Sequence, residues 1–351
     1  MESADLVIVG GGQSGLSTAH TARRLGLAPV VLEAGPEAVG SWPHYYDSLT
    51  LFSPARFSGL PGTPFTGDPD RYPTRDEVVA YLRAYAAGLD ADIRTDTRAT
   101  TITREKDGGG LVVETEAGSS LHTPFVVAAT GGFGRPHIPA LPGLDVFDGE
   151  VLHASRYRDP KDFAGMRVAV VGGGNSAVQI AVDLADTARV SLATRGPLKW
   201  ARQRVLGKDL HWWLKRTGLD IAPLAKQLGG QTMAVIDDGR YHAALATGNP
   251  DPRPMFARLT TDTIVWADGS EEHLDAIVLA TGYRPHLDYL EASGALDADG
   301  LPLHDTGVST TVPGLGYVGL EWQRSLSSAS LRGAARDATH VLNRLRKTSA
   351  H

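Results

Sequence analysis

The chain has no cysteine among its 351 residues. This absence excludes disulfide bonds, zinc or iron–sulfur sites with thiolate ligands, and redox relays that use a pair of thiols. No apolar run approaches the ~20 residues that a membrane-spanning helix requires. Acidic residues at positions 2 and 5 precede the first apolar run, which is not the pattern of a signal peptide, and we expect a cytoplasmic protein.

Positive charge is in slight deficit, with 34 Lys and Arg against 40 Asp and Glu and a net charge of -6. This balance argues against nucleic acid or an anionic membrane as the main partner. We expect a small-molecule substrate and no metal, while a homodimer stays open. Glycine is the one residue type in clear excess, with 40 copies. An excess of glycine indicates tight turns and close approaches between the backbone and a bound molecule.

Two stretches of the chain repeat one arrangement of glycines. The first is DLVIVGGGQSGLSTAHTARRLGLAPVVLE and the second is RVAVVGGGNSAVQIAVDLADTARVSLATR. Gly10 and Gly172 are 162 positions apart, and so are the charged residues Glu33 and Arg195 that end the two stretches. The sequence therefore predicts two strand–turn–helix–strand units that each bind a dinucleotide.

The spacing of small residues in each turn suits a pyrophosphate. The first glycine permits the tight turn, the second lets the backbone approach the anion, and the third small residue lets the helix pack against the strand. One such match is weak, but two in the same context are hard to explain as chance glycine-rich turns. The expected contacts are Gly10, Gly12, Gln13, Ser14 and Gly15 in the first unit and Gly172, Gly174, Asn175, Ser176 and Ala177 in the second.

The charged residues that end the two units predict different nucleotides. The Glu33 carboxylate can accept hydrogen bonds from the ribose hydroxyls of an adenosine, and it would repel a 2′-phosphate. The Arg195 guanidinium offers donors to a 2′-phosphate. We therefore expect FAD or NAD in the first unit and NADP in the second. Lys199, Arg202 and Arg204 can add positive charge there, although each alone also suits a solvated basic loop.

Later segments indicate how the units are connected. FVVAATGG (residues 125–132) and AIVLATGY (residues 276–283) read as buried strands that end in Ala-Thr-Gly, and residues 97–129 suggest a small β-meander. The last strand and helix most simply return to the first unit. We predict an α/β fold with two nested Rossmann-like domains: residues 1–155 and 281–351 bind FAD, and residues 156–280 form the inserted NADP domain.

Residues 147–157, FDGEVLHASRY, fit the pattern F-x-G-x-x-x-H-x-x-x-[W/Y] shortly before the second glycine turn. This pattern resembles the fingerprint of class B flavin monooxygenases. LFSPARFSGLP and YPT are similar to segments of the plant indole-3-pyruvate monooxygenases, whereas TGGFGRPHIP is closer to Baeyer–Villiger enzymes. Disulfide reductases share the two-domain plan but require a cysteine pair.

The resemblance implies a reaction and further site residues. NADPH would reduce FAD, reduced flavin would add O2 as a C4a-(hydro)peroxyflavin, and this species would oxygenate a small organic molecule. His153 would set the geometry of the link between domains rather than transfer a proton, with Phe147 and Tyr157 packing there. Further FAD contacts are expected from Ser41, Trp42, Ala99, Thr130, Gly131 and Gln323, and further NADP contacts from Thr281 and Gly282.

Several alternatives stay open at this point. The motifs do not separate oxygenation of nitrogen or sulfur from Baeyer–Villiger or oxo-acid chemistry. The nested fold also permits an NADPH-dependent flavin reductase that inserts no oxygen, or a flavoprotein without enzymatic activity. HWWLKR (residues 211–216) can line a substrate pocket or form one face of an amphipathic helix. Thr74 and Glu77 read as a capping box without a functional role.

Overall fold

Two sheets with mainly parallel strands organise the chain, and the computed structural model describes residues 2–105, 109–223 and 234–348. The helices are α1 (Gln13–Arg24), α2 (Arg75–Ala87), α3 (Asn175–Leu184), α4 (Leu210–Thr217), α5 (Arg240–Ala246) and α6 (Leu331–Thr348). The strands are β1 (Glu2–Ser3), β2 (Leu6–Val9), β3 (Pro29–Leu32), β4 (Asp92–Arg94), β5 (Ala99–Arg104), β6 (Leu111–Thr115), β7 (Ser120–Thr123), β8 (Val126–Ala128), β9 (Arg135–Pro136), β10 (Glu150–His153), β11 (Arg167–Val171), β12 (Arg189–Thr194), β13 (Trp200–Arg202), β14 (Arg204–Val205), β15 (Lys208–Asp209), β16 (Val235–Asp237), β17 (Asp251–Pro254), β18 (Arg258–Leu259), β19 (Thr263–Val265), β20 (Glu271–His273), β21 (Ala276–Leu279), β22 (Tyr283–Arg284), β23 (His304–Asp305), β24 (Val308–Ser309) and β25 (Leu315–Tyr317).

The first sheet joins strands from both ends of the chain, in the order β23-β24-β25-β8-β2-β3-β4. Strands β2, β3, β8 and β25 are buried along their whole length, as expected for short apolar runs covered on both faces of a parallel sheet. Helix α6 packs against α1 and β25. The last strand and the last helix therefore lie on the first sheet.

The second sheet has the order β10-β21-β11-β12-β17 and is parallel throughout. It corrects the domain boundary that we expected after residue 155. Strand β10 pairs with β21 along its whole length, from Glu150 with Ala276 to His153 with Leu279. The fingerprint histidine thus ends a strand of the second sheet, because the chain crosses from the first sheet before this strand begins.

Smaller sheets complete the fold. Strands β5, β6 and β7 form the expected antiparallel meander, and β1 joins β7 at its edge. Strands β18, β19 and β20 form a second antiparallel unit. The two passages between the large sheets meet as a short antiparallel pair, because β9 aligns with β22. The chain thus passes from one sheet to the other, and back, at one place.

Residues 199–221 follow the second glycine unit in sequence but are fastened to the N- and C-terminal parts of the chain. The Tyr72 hydroxyl donates to the Asp209 carboxylate at 2.7 Å. The Arg332 guanidinium forms three hydrogen bonds of 2.8–3.0 Å with the Asp220 carboxylate. Among the described helices, none is long and apolar enough to cross a membrane.

Candidate functional site

The first glycine turn is closed too tightly for side chains. Gly10 has a φ of +106°, and a Cβ atom there would lie 2.8 Å from the carbonyl oxygen of Ala129. A Cβ atom on Gly15 would lie 1.8 Å from the carbonyl oxygen of Gly10. These glycines let α1 begin directly against β2. Neither position has room for a side chain.

The N-terminus of α1 is left open to an anion. Gly12 is the N-cap residue, and the described first turn contains neither a capping side chain nor an acidic residue. Backbone N–H groups in a first turn have no partner within the helix, and they and the helix dipole favour negative charge. A Cβ atom on Gly12 would lie 3.3 Å from the Cα atom of Gly40. The second glycine therefore also permits close packing of the loop that carries Trp42.

The Glu33 carboxylate is held at the end of β3 by two backbone donors. Gly11 donates its N–H to Oε2 at 2.7 Å, and Gly35 donates to Oε1 at 2.8 Å. A carboxylate has about four acceptor positions, so it can also accept hydrogen bonds from ribose hydroxyls. This geometry fits an adenosine at the first unit.

Trp42 is fixed to the first turn through Gln13. The indole Nε1 donates to Gln13 Oε1 at 2.8 Å, and Gln13 Nε2 donates to the carbonyl oxygen of Ala329 at 2.8 Å. The Gln13 side chain is therefore used in a bridge and is not directed at a pyrophosphate. Ser41 is exposed, and Ser14 is buried, with its Oγ atom 2.2 Å from a Cβ built on Gly319.

The second glycine turn differs from the first in the free space beside its middle glycine. Gly172 has a φ of +148°, and a Cβ atom there would lie 2.3 Å from the carbonyl oxygen of Ala280. Ala177 takes the place of the third glycine and is fully buried. Gly174 has an extended backbone, and a Cβ atom on it would meet nothing within 4 Å. Packing within the protein thus does not explain this glycine, whereas a closely bound ligand would.

Positive side chains follow β12. Arg195, Lys199 and Arg202 are exposed, and within the described parts of the chain none of the three side chains forms a hydrogen bond or an ion pair. Asn175 is engaged, because its Oδ1 accepts the N–H of Ile236 at 3.0 Å. Asn175 and Ser176 are the two polar residues of this turn that we expect to contact the second nucleotide. Ser176 is exposed, and within the described residues its side chain forms no hydrogen bond.

The two Ala-Thr-Gly segments form the passages between the sheets. The Thr130 hydroxyl lies 3.1 Å from the Tyr289 hydroxyl, and the Thr281 hydroxyl donates to the carbonyl oxygen of His137 at 2.5 Å. Gly131 and Gly282 have φ angles of +72° and +90°. Both segments turn sharply at the glycine, which brings the two turns to the same region of the molecule.

His153 is a linking residue with both ring nitrogens engaged. Ser155 donates its backbone N–H to Nδ1 at 3.1 Å, so the proton of the neutral ring is on Nε2, which donates to the carbonyl oxygen of Gly282 at 3.0 Å. The ring contacts that of Tyr283 edge to face at 4.8 Å. Burial lowers the pKa of His153 below its ordinary value. This arrangement supports a structural role.

Other expected residues lie differently from the sequence interpretation. Gln323 is buried, and its Nε2 donates to the carbonyl oxygen of Tyr317 at 2.7 Å, so its side chain stabilises its own turn instead of facing a flavin. Ala99 belongs to an apolar cluster beside the meander. HWWLKR lies on α4 with His211 buried against Asp209. The capping box of Thr74 and Glu77 is confirmed.

The sequence reasoning missed one polar residue that connects the two units. Asp183 on α3 accepts hydrogen bonds from the hydroxyls of Ser48 and Tyr157. Asp183 lies near the end of the helix between the buried residues Val182 and Leu184, and a carboxylate flanked by apolar residues is a signal that could have found it.

Comparison with known proteins gives the family. The sequence model described as pyridine nucleotide-disulphide oxidoreductase matches residues 7–217. The CzcO-like oxidoreductase of Geobacillus kaustophilus is 32% identical over 345 residues, covering 97% of both chains. The indole-3-pyruvate monooxygenase YUCCA1 of Oryza sativa is 31% identical over 325 residues, covering 83% of this chain and 79% of that protein.

A solved structure agrees over the whole chain. The flavin-containing monooxygenase of Stenotrophomonas maltophilia is 32% identical with a TM-score of 0.86, covering 100% of this chain and 99% of that one. Flavin monooxygenases of this kind use FAD and a pyridine nucleotide. The missing cysteines exclude the thiol chemistry of disulfide reductases from the matched family. The chain belongs to the class B flavin monooxygenases and is an FAD-dependent monooxygenase.

Proposed function

We propose that this enzyme uses NADPH and O2 to oxygenate a small organic molecule, with FAD in the first unit and NADP in the second. The observation that carries the proposal is Gly174, a glycine at an uncapped helix N-terminus where a Cβ atom would meet no protein atom. Such a residue is explained by a ligand whose pyrophosphate approaches the backbone. The unpaired Arg195 supports a 2′-phosphate beside it.

FAD fits the first unit by the chemistry of its donors and acceptors. The open N-terminus of α1 would hold the pyrophosphate, and Glu33, fixed by Gly11 and Gly35, would accept the ribose hydroxyls. When bound, the flavin supplies the hydride acceptance and the oxygen activation of the reaction. The protein binds, orients and excludes water. We infer the nested arrangement, with the NADP unit inserted in the FAD unit, from the strands that both ends of the chain contribute to the first sheet.

His153 would hold the two units in register without moving a proton. Its Nε2 hydrogen is committed to Gly282, and its lowered pKa keeps the ring neutral at pH 7. Trp42, fixed by Gln13, would limit access of water to the flavin.

Rapid mixing of the NADPH-reduced enzyme with oxygenated buffer tests this proposal. We expect a transient species whose absorbance differs from both reduced and oxidised flavin. Direct return of the oxidised spectrum with one peroxide per NADPH would contradict it and would favour an NADPH-dependent flavin reductase. A protein purified without flavin would contradict both.

A further inference from the structure

A loop of residues 41–49, here called the bridge loop, connects the helices that follow the two glycine turns. At one end of the loop, Trp42 donates to Gln13 Oε1 at 2.8 Å, and Gln13 is the first residue of α1. At the other end, the Ser48 hydroxyl donates to Asp183 Oδ2 at 2.9 Å, on α3. Hydrogen bonds at its two ends thus tie the bridge loop to both nucleotide-binding helices.

The α3 end of the bridge loop has a second contact on the same face of the helix. Tyr46 donates its hydroxyl hydrogen to Gln179 Oε1. Gln179 and Asp183 are four residues apart, so their side chains lie one above the other on α3. A rotation or shift of α3 would therefore move both Tyr46 and Ser48.

Asp183 also holds the fingerprint segment. The Tyr157 hydroxyl donates to Oδ2 of Asp183 at 2.8 Å, on the same carboxylate oxygen that accepts Ser48. Tyr157 is fully buried, and burial together with the neighbouring carboxylate raises its pKa, so the hydroxyl keeps its proton and stays a donor. One carboxylate oxygen thus joins α3, the bridge loop and the fingerprint segment.

The backbone of the bridge loop is also hydrogen-bonded to Arg158, the residue that follows the fingerprint segment. Arg158 Nη1 donates to the carbonyl oxygen of Tyr45 at 2.6 Å, and Asp47 donates its N–H to the carbonyl oxygen of Arg158 at 3.0 Å. The rings of Tyr46 and Tyr157 are 6.0 Å apart. The loop therefore packs along α3 and the end of the fingerprint segment, and Trp42 lies in the same loop.

We propose that Asp183 is a positioning residue that couples occupancy of the second nucleotide site to the environment of the flavin, through Ser48 and the bridge loop. This inference rests on the proposed two-nucleotide function. Binding of NADP at the N-terminus of α3 would fix that helix, and the hydrogen bonds of Asp183 would fix the loop that carries Trp42. Coupling between two sites is a free energy, and it appears equally in the binding of either ligand.

The test is the shift in flavin midpoint potential that NADP⁺ causes in the FAD-loaded enzyme, because a side chain that only supports the fold would not change it. Ser48→Ala removes the hydroxyl from an exposed position, and Asp183→Asn removes the charge while keeping the shape. Asp186→Asn is the matched control, since it makes the same change at an exposed position just beyond α3. FAD content and the NADP⁺ dissociation constant are measured for each variant.

We expect Ser48→Ala and Asp183→Asn to reduce the coupling by on the order of 5-fold, the lower end of typical allosteric coupling. The double variant should be no worse than the more affected single variant, because the hydrogen bond that Ser48→Ala removes is one of the two that Asp183→Asn weakens. The inference would be overturned if NADP⁺ shifted the flavin potential of Ser48→Ala as much as that of the wild type. It would also be overturned if Asp186→Asn lost as much of this shift as Asp183→Asn. An enzyme that NADPH reduces, but whose potential NADP⁺ does not shift, would overturn it too while leaving the proposed function intact.

Discussion

The Nε2 atom of His153 donates to the carbonyl oxygen of Gly282 at 3.0 Å. This hydrogen bond joins the end of β10 to the glycine turn that follows β21, two segments that pair side by side in the second sheet. The histidine of the fingerprint thus stabilises the position at which the chain leaves the second sheet.

Replacing His153 with alanine should disturb the link while leaving the first unit loaded. We expect FAD content near that of the wild type and more peroxide released per NADPH consumed, because a displaced second unit excludes water from the flavin less well. The measurement is the ratio of peroxide to NADPH with a substrate present. Ser155→Ala is the control, since it leaves the bond to Gly282 in place. An unchanged ratio of peroxide to NADPH in His153→Ala would contradict the role of His153 in linking the two units.

Two histidines, His153 and His304, predict a loss of stability in mild acid. Burial lowers the pKa values of His153 and His304 below the ordinary 6.5. Below pH 6.5 the unfolded chain binds protons that the folded chain does not, so the free energy of unfolding should fall as the pH decreases towards the folded pKa values. One titrating group can change the free energy of unfolding by at most about 1.4 kcal/mol per pH unit. His304 is partly exposed, so solvent screening keeps its contribution below this limit.

Urea unfolding between pH 5.5 and 7.5 measures this slope. His304→Gln keeps an acceptor for the N–H of Gly307 and removes the titration, so the slope should become shallower. The same slope in this variant would show that other groups cause the acid sensitivity.

Gly12→Val should give a protein without FAD. The sequence predicts that this glycine contacts the pyrophosphate. The structure adds a second reason, since a Cβ atom would lie 3.3 Å from the Cα atom of Gly40, the residue just before the bridge loop. The absorbance of bound flavin in the purified variant checks the prediction. Full flavin occupancy would mean that the FAD site is assigned to the wrong turn.

Gly174→Val is the matched substitution in the second turn, and this variant should keep its FAD. Because a Cβ atom there meets nothing within 4 Å, the variant should fold and retain FAD. The added methyl groups should occupy the space of the second pyrophosphate and weaken NADPH binding by at least about 10-fold, as loss of one or two hydrogen bonds to a charged group would. Unaltered KM for NADPH would argue against a nucleotide at this turn.

Arg195→Ala should lower the preference for NADPH over NADH. If the guanidinium binds the 2′-phosphate, its removal costs charge-assisted hydrogen bonds worth about 1.5–3 kcal/mol, and the ratio of kcat/KM for flavin reduction should fall on the order of 10- to 100-fold. NADH should be used almost as before. Lys199→Ala and Arg202→Ala show how far neighbouring charge compensates. A wild-type enzyme that already prefers NADH would contradict the assignment.

The local parts of the site were predictable from the sequence, whereas the contacts across the chain were not. The glycine turns and the charges at Glu33 and Arg195 depend on spacing within about 30 residues, which a motif records. The bond from Ser48 to Asp183 joins residues 135 positions apart, and no local pattern specifies it. The same holds for β10, whose short run Glu150–His153 gains its place only from pairing with β21.

Two amide side chains that the sequence predicts to contact a cofactor form hydrogen bonds within the protein instead. Gln323 and Asn175 stand where a cofactor contact is plausible, but backbone groups of neighbouring segments take up their amides. A buried amide must find partners within the protein, and the nearest backbone often supplies them.

The pairing of β9 with β22 bears on how such a chain can be built. Tyr283 aligns with Pro136 and Arg284 with Arg135, so the points where the chain leaves and re-enters the first unit are separated by one inter-strand spacing, roughly 5 Å. Two such close ends behave as the ends of a tight loop, in which a whole domain can be inserted at little cost in chain entropy. The first sheet therefore need not be opened to accommodate the second.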